Sequence, residues 1–89
     1  MSSISLAFSS KTTMPLSAMH RDARGVVVEV LPTVDGRADR LLALGVTPGA
    51  RVVVLQTFPG IVFQCDQTEL AVERGVAHSV IVRFEENRS

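Results

Sequence analysis

The stretch that most constrains this chain is residues 40–52, RLLALGVTPGARV, in which a helix ends, the chain reverses and a strand begins. Gly45 follows a leucine-rich segment, and helices commonly end on a glycine in the left-handed conformation, which strains any residue with a Cβ. Pro48 and Gly49 then occupy the second and third positions of a four-residue turn, as a type II turn prefers. The sequence therefore predicts a structural corner at Gly45, Pro48 and Gly49, around which the other elements pack.

The remaining pattern predicts a mainly β domain with one short α-helix and one or two single-turn helices. Five runs rich in β-branched residues, bounded by Gly, Pro or polar residues, predict strands at 25–31, 51–57, 61–65, 69–72 and 79–84. Apolar spacing of i, i+3, i+4 and i+7 predicts a helix from Arg37 to Leu44 that buries Ala38, Leu41, Leu42 and Gly45. Single helical turns are expected at 16–19, which would place Leu16 and Met19 over the core, and at 73–78.

Length and composition allow one domain with an aliphatic core. The chain has 89 residues, of which 46% are hydrophobic but only 4% aromatic, so Val, Leu and Ile must fill the interior. Residues 1–14 are rich in Ser and Thr and are expected to form a disordered tail. We therefore expect the domain to span residues 15–85, with a short C-terminal tail at 86–89.

Charge and cysteine content exclude several classes of partner. Nine basic and nine acidic residues cancel and are interleaved, which argues against binding to nucleic acid or to an anionic membrane surface. No apolar run approaches the roughly 20 residues that cross a bilayer, so direct membrane insertion is not expected. Cys65 is the only cysteine, which rules out an internal disulfide and makes the cytoplasm the expected location.

No constellation of residues predicts catalysis, a cofactor or a tight metal site. The histidines, His20 and His78, belong to no catalytic motif, so the chain is not expected to be an enzyme. Cys65 could join them as a metal ligand, but the three residues lack the close spacing of a dedicated site. Cys65 lies on a predicted strand and is expected to be buried as a small hydrophobic residue. Weak binding of a transition metal stays open.

Two features leave a binding surface open as an alternative to ordinary packing. The outward faces of two predicted strands carry Val53, Leu55 and Ile81, which indicates either a contact surface or burial on both sides of the sheet. Charged residues at 37, 39 and 40 form either a solvated helix face or the polar rim of an apolar contact. On the second interpretation, Arg37, Arg40 and Leu44 are the candidate partner-binding residues.

The pattern Arg40-Leu41-Leu42-x-Leu44-Gly45-Val46-x-Pro48-Gly49-x-x-Val52 resembles the signature of the FeoA family, small companions of the bacterial ferrous-iron transporter FeoB. Further short matches to the family pattern occur in the family's order between Leu16 and Val82. The main departure is Asp22, which stands where the family usually has glycine. A weaker resemblance is to the SH3-like C-terminal domain of DtxR-type metal-dependent repressors.

The resemblance implies a small five-stranded SH3-like barrel and a non-catalytic accessory protein of ferrous iron uptake. Its implied partner is the cytoplasmic part of a FeoB-like membrane GTPase transporter. The alternative is a transition-metal-binding SH3-like domain akin to that of the repressors. An attached DNA-binding domain is not expected in this sequence, which favours the first interpretation. A weak homo-oligomer stays open.

Overall fold

The computed structural model describes residues 12–85, which form six strands and two short helices. In chain order these elements are β1 (Thr13–Pro15), a 3₁₀ turn (Leu16–Ala18), β2 (Arg24–Val30), α1 (Asp39–Ala43), β3 (Arg51–Gln56), β4 (Ile61–Cys65), β5 (Thr68–Val72), α2 (Arg74–Ala77) and β6 (Val80–Glu85). All five predicted strands are present; the bounds of β4 are as predicted, and those of the other four differ by at most one residue at either end. Residues 1–11 and 86–89 of the predicted tails lie outside the described part of the chain.

The sixth strand, β1, was not predicted. It contains Thr13 and Met14, which the sequence pattern assigns to the tail, and it pairs with β6 through Thr13 opposite Arg83 and Met14 opposite Val82. A three-residue strand is too short to show an alternating pattern of its own. Its position is set by β6, which is distant in sequence.

The strands form one antiparallel sheet in the order β1-β6-β2-β3-β4-β5. The register shifts once between β2 and β6, at Val27 and Glu29, and once between β3 and β4, at Val54 and Gln56. Such bulges bend a strand and increase its local twist. Both ends of the sheet, β1 and β5, are edge strands.

The sheet coils around one aliphatic core. Leu16 and Met19 are buried, as predicted for a turn that covers the core, and Phe63 is its one fully buried aromatic residue among those described. Side chains of four neighbouring strands, β6, β2, β3 and β4, meet in the same cluster: Val27, Val52, Val54, Ile61, Phe63, Cys65, Val80 and Val82. On the other face, Val53, Leu55 and Ile81 are half-buried.

The predicted corner at Gly45, Pro48 and Gly49 is confirmed at both of its glycines. Gly45 has a φ of +100°, and its N–H donates to the Leu42 carbonyl at 3.2 Å, while the Val46 N–H donates to the Leu41 carbonyl at 2.9 Å. This pair of bonds is the Schellman arrangement that ends a helix. Gly49 has a φ of +97°, as the third position of a type II turn requires. The turn around Pro48 is closed by the Ala50 N–H, which donates to the Thr47 carbonyl at 2.9 Å.

Helix α1 is shorter than predicted, and part of the face that was predicted to be buried is exposed. The N–H groups of Arg37 and Ala38 donate to Asp35 Oδ1 at 3.1 Å and Thr33 Oγ1 at 3.2 Å, so these residues form the turn that precedes the helix. The prediction that Leu42 and Gly45 lie on the buried face was wrong, because both residues are exposed, Leu42 to 42%. Successive helical residues are rotated by about 100°, and burial of Leu41 turns Leu42 away from the core.

Asp22, the departure from the family pattern, keeps the backbone conformation that glycine favours. Its φ is +73°, and its N–H donates to the Val54 carbonyl at 2.7 Å. Asp tolerates the left-handed region better than most residues with a Cβ. The approach to β2 therefore turns sharply without glycine.

Candidate functional site

The three candidate partner-binding residues line one groove between α1 and β5. The groove encloses about 260 Å³, and its lining comes from α1 and the turn before it on one side and from β5 and α2 on the other: Arg37, Arg40, Leu41, Leu44, Ala71, Val72, Glu73 and Val76. We call it the α1–β5 groove. Its two walls are separated by about thirty positions in the sequence, so the fold brings them together.

One wall of the groove is formed by α1 and the residues on either side of it. Arg40 and Leu41 lie in α1, Leu44 is its C-cap, and Arg37 lies in the turn before it. Leu41 is buried and forms the base of this wall, whereas Leu44 is 52% exposed at its outer end. Leu44 is therefore an aliphatic side chain left available for contact beside a cation.

The two arginines of the groove have different electrostatic surroundings. Arg37 forms an ion pair with Glu73 across the groove, and its guanidinium lies 3.6 Å from the Asp35 carboxylate. Arg40 has no carboxylate within 4.0 Å among residues 12–85. Arg37 therefore links the two walls, and Arg40 adds a positive charge to the groove that is not paired with a carboxylate among residues 12–85.

Asp35 stabilises the turn that carries Arg37. The backbone N–H of Arg37 and the hydroxyl of Thr33, at 2.9 Å, both donate to Asp35 Oδ1. These bonds, together with the nearby Arg37 guanidinium, lower the pKa of the Asp35 carboxyl from its usual value of 3.8. The carboxylate form thus holds the turn that carries Arg37.

Two further open grooves adjoin α2. One, of about 450 Å³, includes Val34, which is fully exposed, and shares Arg37 and Val76 with the α1–β5 groove. The other, of about 510 Å³, lies against the 3₁₀ turn and includes Arg74 and His78. Arg74 links α2 to the 3₁₀ turn and to the loop after β3, because its guanidinium donates to the carbonyl oxygens of Ser17, at 3.4 Å, and Thr57.

Ser17 and His78 are the described pair that most resembles a nucleophile and a base. Ser17 Oγ lies 3.3 Å from His78 Nδ1 in an exposed position. No carboxylate lies within 4.0 Å of His78 among the described residues, so nothing there orients the ring as the third member of a triad would. The pair is a surface hydrogen bond.

The residues considered as metal ligands lie apart. Cys65 is buried, as predicted, and its thiol donates to the Gly45 carbonyl at 3.6 Å. Burial, and secondarily the Asp66 carboxylate, raise the pKa of the Cys65 thiol above 9.0, which disfavours the thiolate that binds metals. His20 Nδ1 lies 2.8 Å from the Arg21 carbonyl oxygen. In the described part of the chain, no three His, Cys, Asp or Glu side chains are grouped to hold a metal ion.

Sequence reasoning found the helical wall of the groove but missed the opposite wall. Ala71, Glu73 and Val76 carry no motif, and the only signal was that Glu73 follows directly after a predicted strand. Helices of the length and apolar character needed to cross a membrane are absent from residues 12–85.

Comparison with known proteins identifies the fold and the family. A family model described as the FeoA domain matches residues 14–84. The chain is 33% identical to a FeoA described as an iron uptake regulatory protein; the match covers 82% of this chain and 99% of that one, with a TM-score of 0.71. A comparison with curated proteins gives no match.

Two more distant structures share the fold. The FeoA of Stenotrophomonas maltophilia, a prokaryotic SH3 domain protein complexed with zinc, is 24% identical over 78% of this chain and 88% of that one, with a TM-score of 0.71. A manganese-dependent transcriptional repressor is 20% identical over 83% of this chain but only 42% of its own, with a TM-score of 0.72. The SH3-like fold is therefore common to iron-uptake proteins and to domains of metal-dependent repressors.

Proposed function

This chain belongs to the FeoA domain family, and from that premise we propose that it is a cytoplasmic accessory protein of ferrous iron uptake. It binds the cytoplasmic part of a FeoB-like membrane GTPase transporter and modulates it without catalysing a reaction. The observation that carries this proposal is the α1–β5 groove, in which an exposed leucine and an arginine without an ion-pair partner among the described residues stand side by side.

The groove has the character of a transient protein contact. Leu44, Leu41 and Val76 supply an apolar centre, and Arg40, Arg37 and Glu73 supply a charged border. An apolar centre with a polar border is the usual anatomy of such interfaces, and small interfaces of this kind give modest affinity. Arg40 would also attract an acidic partner surface before contact, which raises the rate of association.

The experiment compares two matched pairs of variants in binding to the purified cytoplasmic part of the transporter. Leu44→Ala and Leu42→Ala each shorten an exposed leucine near the end of α1, but only Leu44 lines the groove. Arg40→Glu and Arg21→Glu each reverse an exposed charge, but Arg21 lies in the turn before β2 and lines none of the grooves. Arg37 is avoided because its ion pair with Glu73 makes it part of the fold.

We expect Leu44→Ala and Arg40→Glu to weaken binding about tenfold or more, as a contact worth roughly 1.4 kcal/mol would. Leu42→Ala and Arg21→Glu should bind like the original protein, and circular dichroism should show all four folded. Equal binding by all four variants would place the contact elsewhere on the surface. No binding by the unaltered protein would contradict the partnership.

The second candidate function is binding of a transition metal, favoured by the SH3-like fold shared with the zinc-complexed FeoA and the manganese-dependent repressor. The described residues of this chain argue against a tight site, because no group of three ligating side chains occurs among them. Calorimetric titration with Zn²⁺ separates the two functions. Weak binding without fixed stoichiometry is the outcome consistent with the accessory role, whereas a one-to-one submicromolar site would favour the metal-binding one.

A further inference from the structure

The outer edge of β5 leaves backbone groups unpaired. β5 is the last strand of the sheet and pairs only with β4. A two-residue turn joins these strands, so Cys65 and Thr68 form a hydrogen-bonded pair. From Thr68 onward, the backbone N–H and C=O groups of successive residues point alternately toward β4 and away from it. The N–H and C=O groups of Glu69 and Ala71 therefore point away from β4. Neither residue makes a backbone hydrogen bond to another element among residues 12–85.

The other edge of the sheet is less suited to receive a strand. β1 has three residues and ends at Pro15, which has no backbone N–H to donate. Short edge strands and edge prolines are common means by which proteins prevent strand addition. β5 has five residues and no proline. It is thus the edge on which a strand from another molecule can pair.

The unpaired edge opens into the α1–β5 groove. Ala71 and Val72 both line the groove, and since successive side chains of a strand point to opposite faces, a groove lined by both lies along the strand edge. Val72 packs partly against the core, whereas Ala71 is exposed. Across the groove stand Leu44 and Arg40. The outward backbone groups of Ala71, an aliphatic side chain and a cation are therefore available in one groove.

We propose that this edge is a strand-addition site: an extended segment of the transporter partner pairs with the main chain of Glu69 and Ala71 and places an aliphatic side chain against Leu44 and a carboxylate at Arg40. The inference rests on the proposed function and names the chemistry of the bound segment. In this mode of recognition the main-chain bonds supply affinity and the side-chain contacts supply specificity. Glu69, which is exposed on the same strand, disfavours a uniformly acidic segment and limits the acid to the end near Arg40.

The test uses amide hydrogen exchange on the full chain, alone and in complex with the purified cytoplasmic part of the transporter. In the free protein the amides of Glu69 and Ala71 should exchange rapidly, and in the complex they should be protected about tenfold or more, because each would donate to the added strand. Protection confined to other regions in a stable complex would overturn strand addition while leaving the partnership intact. Absence of any complex would overturn both.

A matched pair of substitutions at one position checks the same point. Ala71→Pro removes an outward N–H without removing a bond to β4, and proline is tolerated on edge strands. Ala71→Ser alters the side chain and keeps the N–H. We expect Ala71→Pro to weaken binding about tenfold or more and Ala71→Ser to bind normally, with similar melting temperatures for both. Undiminished binding by Ala71→Pro would overturn the proposal. So would self-association of the unaltered protein that Ala71→Pro abolishes, since a second copy would then occupy the edge.

Discussion

The left-handed backbone of Gly45 makes a quantitative prediction about stability. A Cβ built on Gly45 meets no atom within 4 Å, so Gly45→Ala creates no clash and its effect reports the backbone conformation alone. At a φ of +100° a residue with a Cβ is strained, and the expected loss is about 1–2 kcal/mol. For a domain of this size that loss lowers the melting temperature by about 4–16 °C.

The assay is thermal denaturation followed by far-ultraviolet circular dichroism, because the chain has no Trp or Tyr to serve as a fluorescent probe. Gly45→Asn should lose less than Gly45→Ala, since Asn enters the left-handed region more readily. Gly45→Val should lose at least as much as Gly45→Ala.

Gly75→Ala is the matched control. Gly75 lies inside α2, its added Cβ also meets nothing within 4 Å, and its φ is not in the left-handed region. Alanine is favoured over glycine inside a helix by up to about 1 kcal/mol, so this variant should be as stable as the original or more so. Equal melting temperatures for Gly45→Ala and the unaltered protein would refute the assignment of Gly45 as a strained helix end.

Two further predictions concern β2 and the turn before α1. Gly25→Ala should destabilise by about 1–3 kcal/mol in urea denaturation, because its Cβ would press on Val82 and lie 2.7 Å from the Arg83 carbonyl oxygen; unchanged stability would mean that β2 and β6 are farther apart there. Asp35 should titrate below 3.8 in a carboxyl NMR titration. Because its folded pKa is lowered, the stability that Asp35 contributes is present above the unfolded pKa and is lost as the pH falls through the folded value, and a titration midpoint at or above 3.8 would contradict the hydrogen bonds assigned to it.

The corner was predictable because its geometry is local. The left-handed conformations of Gly45 and Gly49 follow from the residues next to them in the sequence. The same kind of local pattern located the five longer strands. The error at Leu42 arose from extending helical periodicity over a segment in which only 39–43 is helical. Once the first turn is taken up by the Thr33 and Asp35 hydrogen bonds, the helix is too short for the assumed stripe.

The groove was only half predictable because it depends on how the sheet coils. Arg37, Arg40 and Leu44 lie close together in the sequence, which allowed them to be grouped, but Ala71 and Glu73 line the same groove only because the fold brings the end of β5 next to α1. The ion pair between Arg37 and Glu73 could not be inferred either, since it joins residues 36 positions apart. β1 was missed for the same reason, because β6 determines its pairing.

The corner that builds the fold also positions the groove. Leu44 is the C-cap of α1 and Gly45 is the next residue, so the left-handed turn at Gly45 fixes the outer end of the helical wall. Beyond it, the Gly49 N–H donates to the Val27 carbonyl at 2.8 Å, which ties the corner to β2 and the core. Gly45 variants should therefore lose both stability and partner binding. Arg40→Glu, whose side chain is exposed, should lose partner binding and keep its stability. A Gly45 variant that unfolds more easily yet binds the transporter normally would show that the contact does not require Leu44 in its observed position.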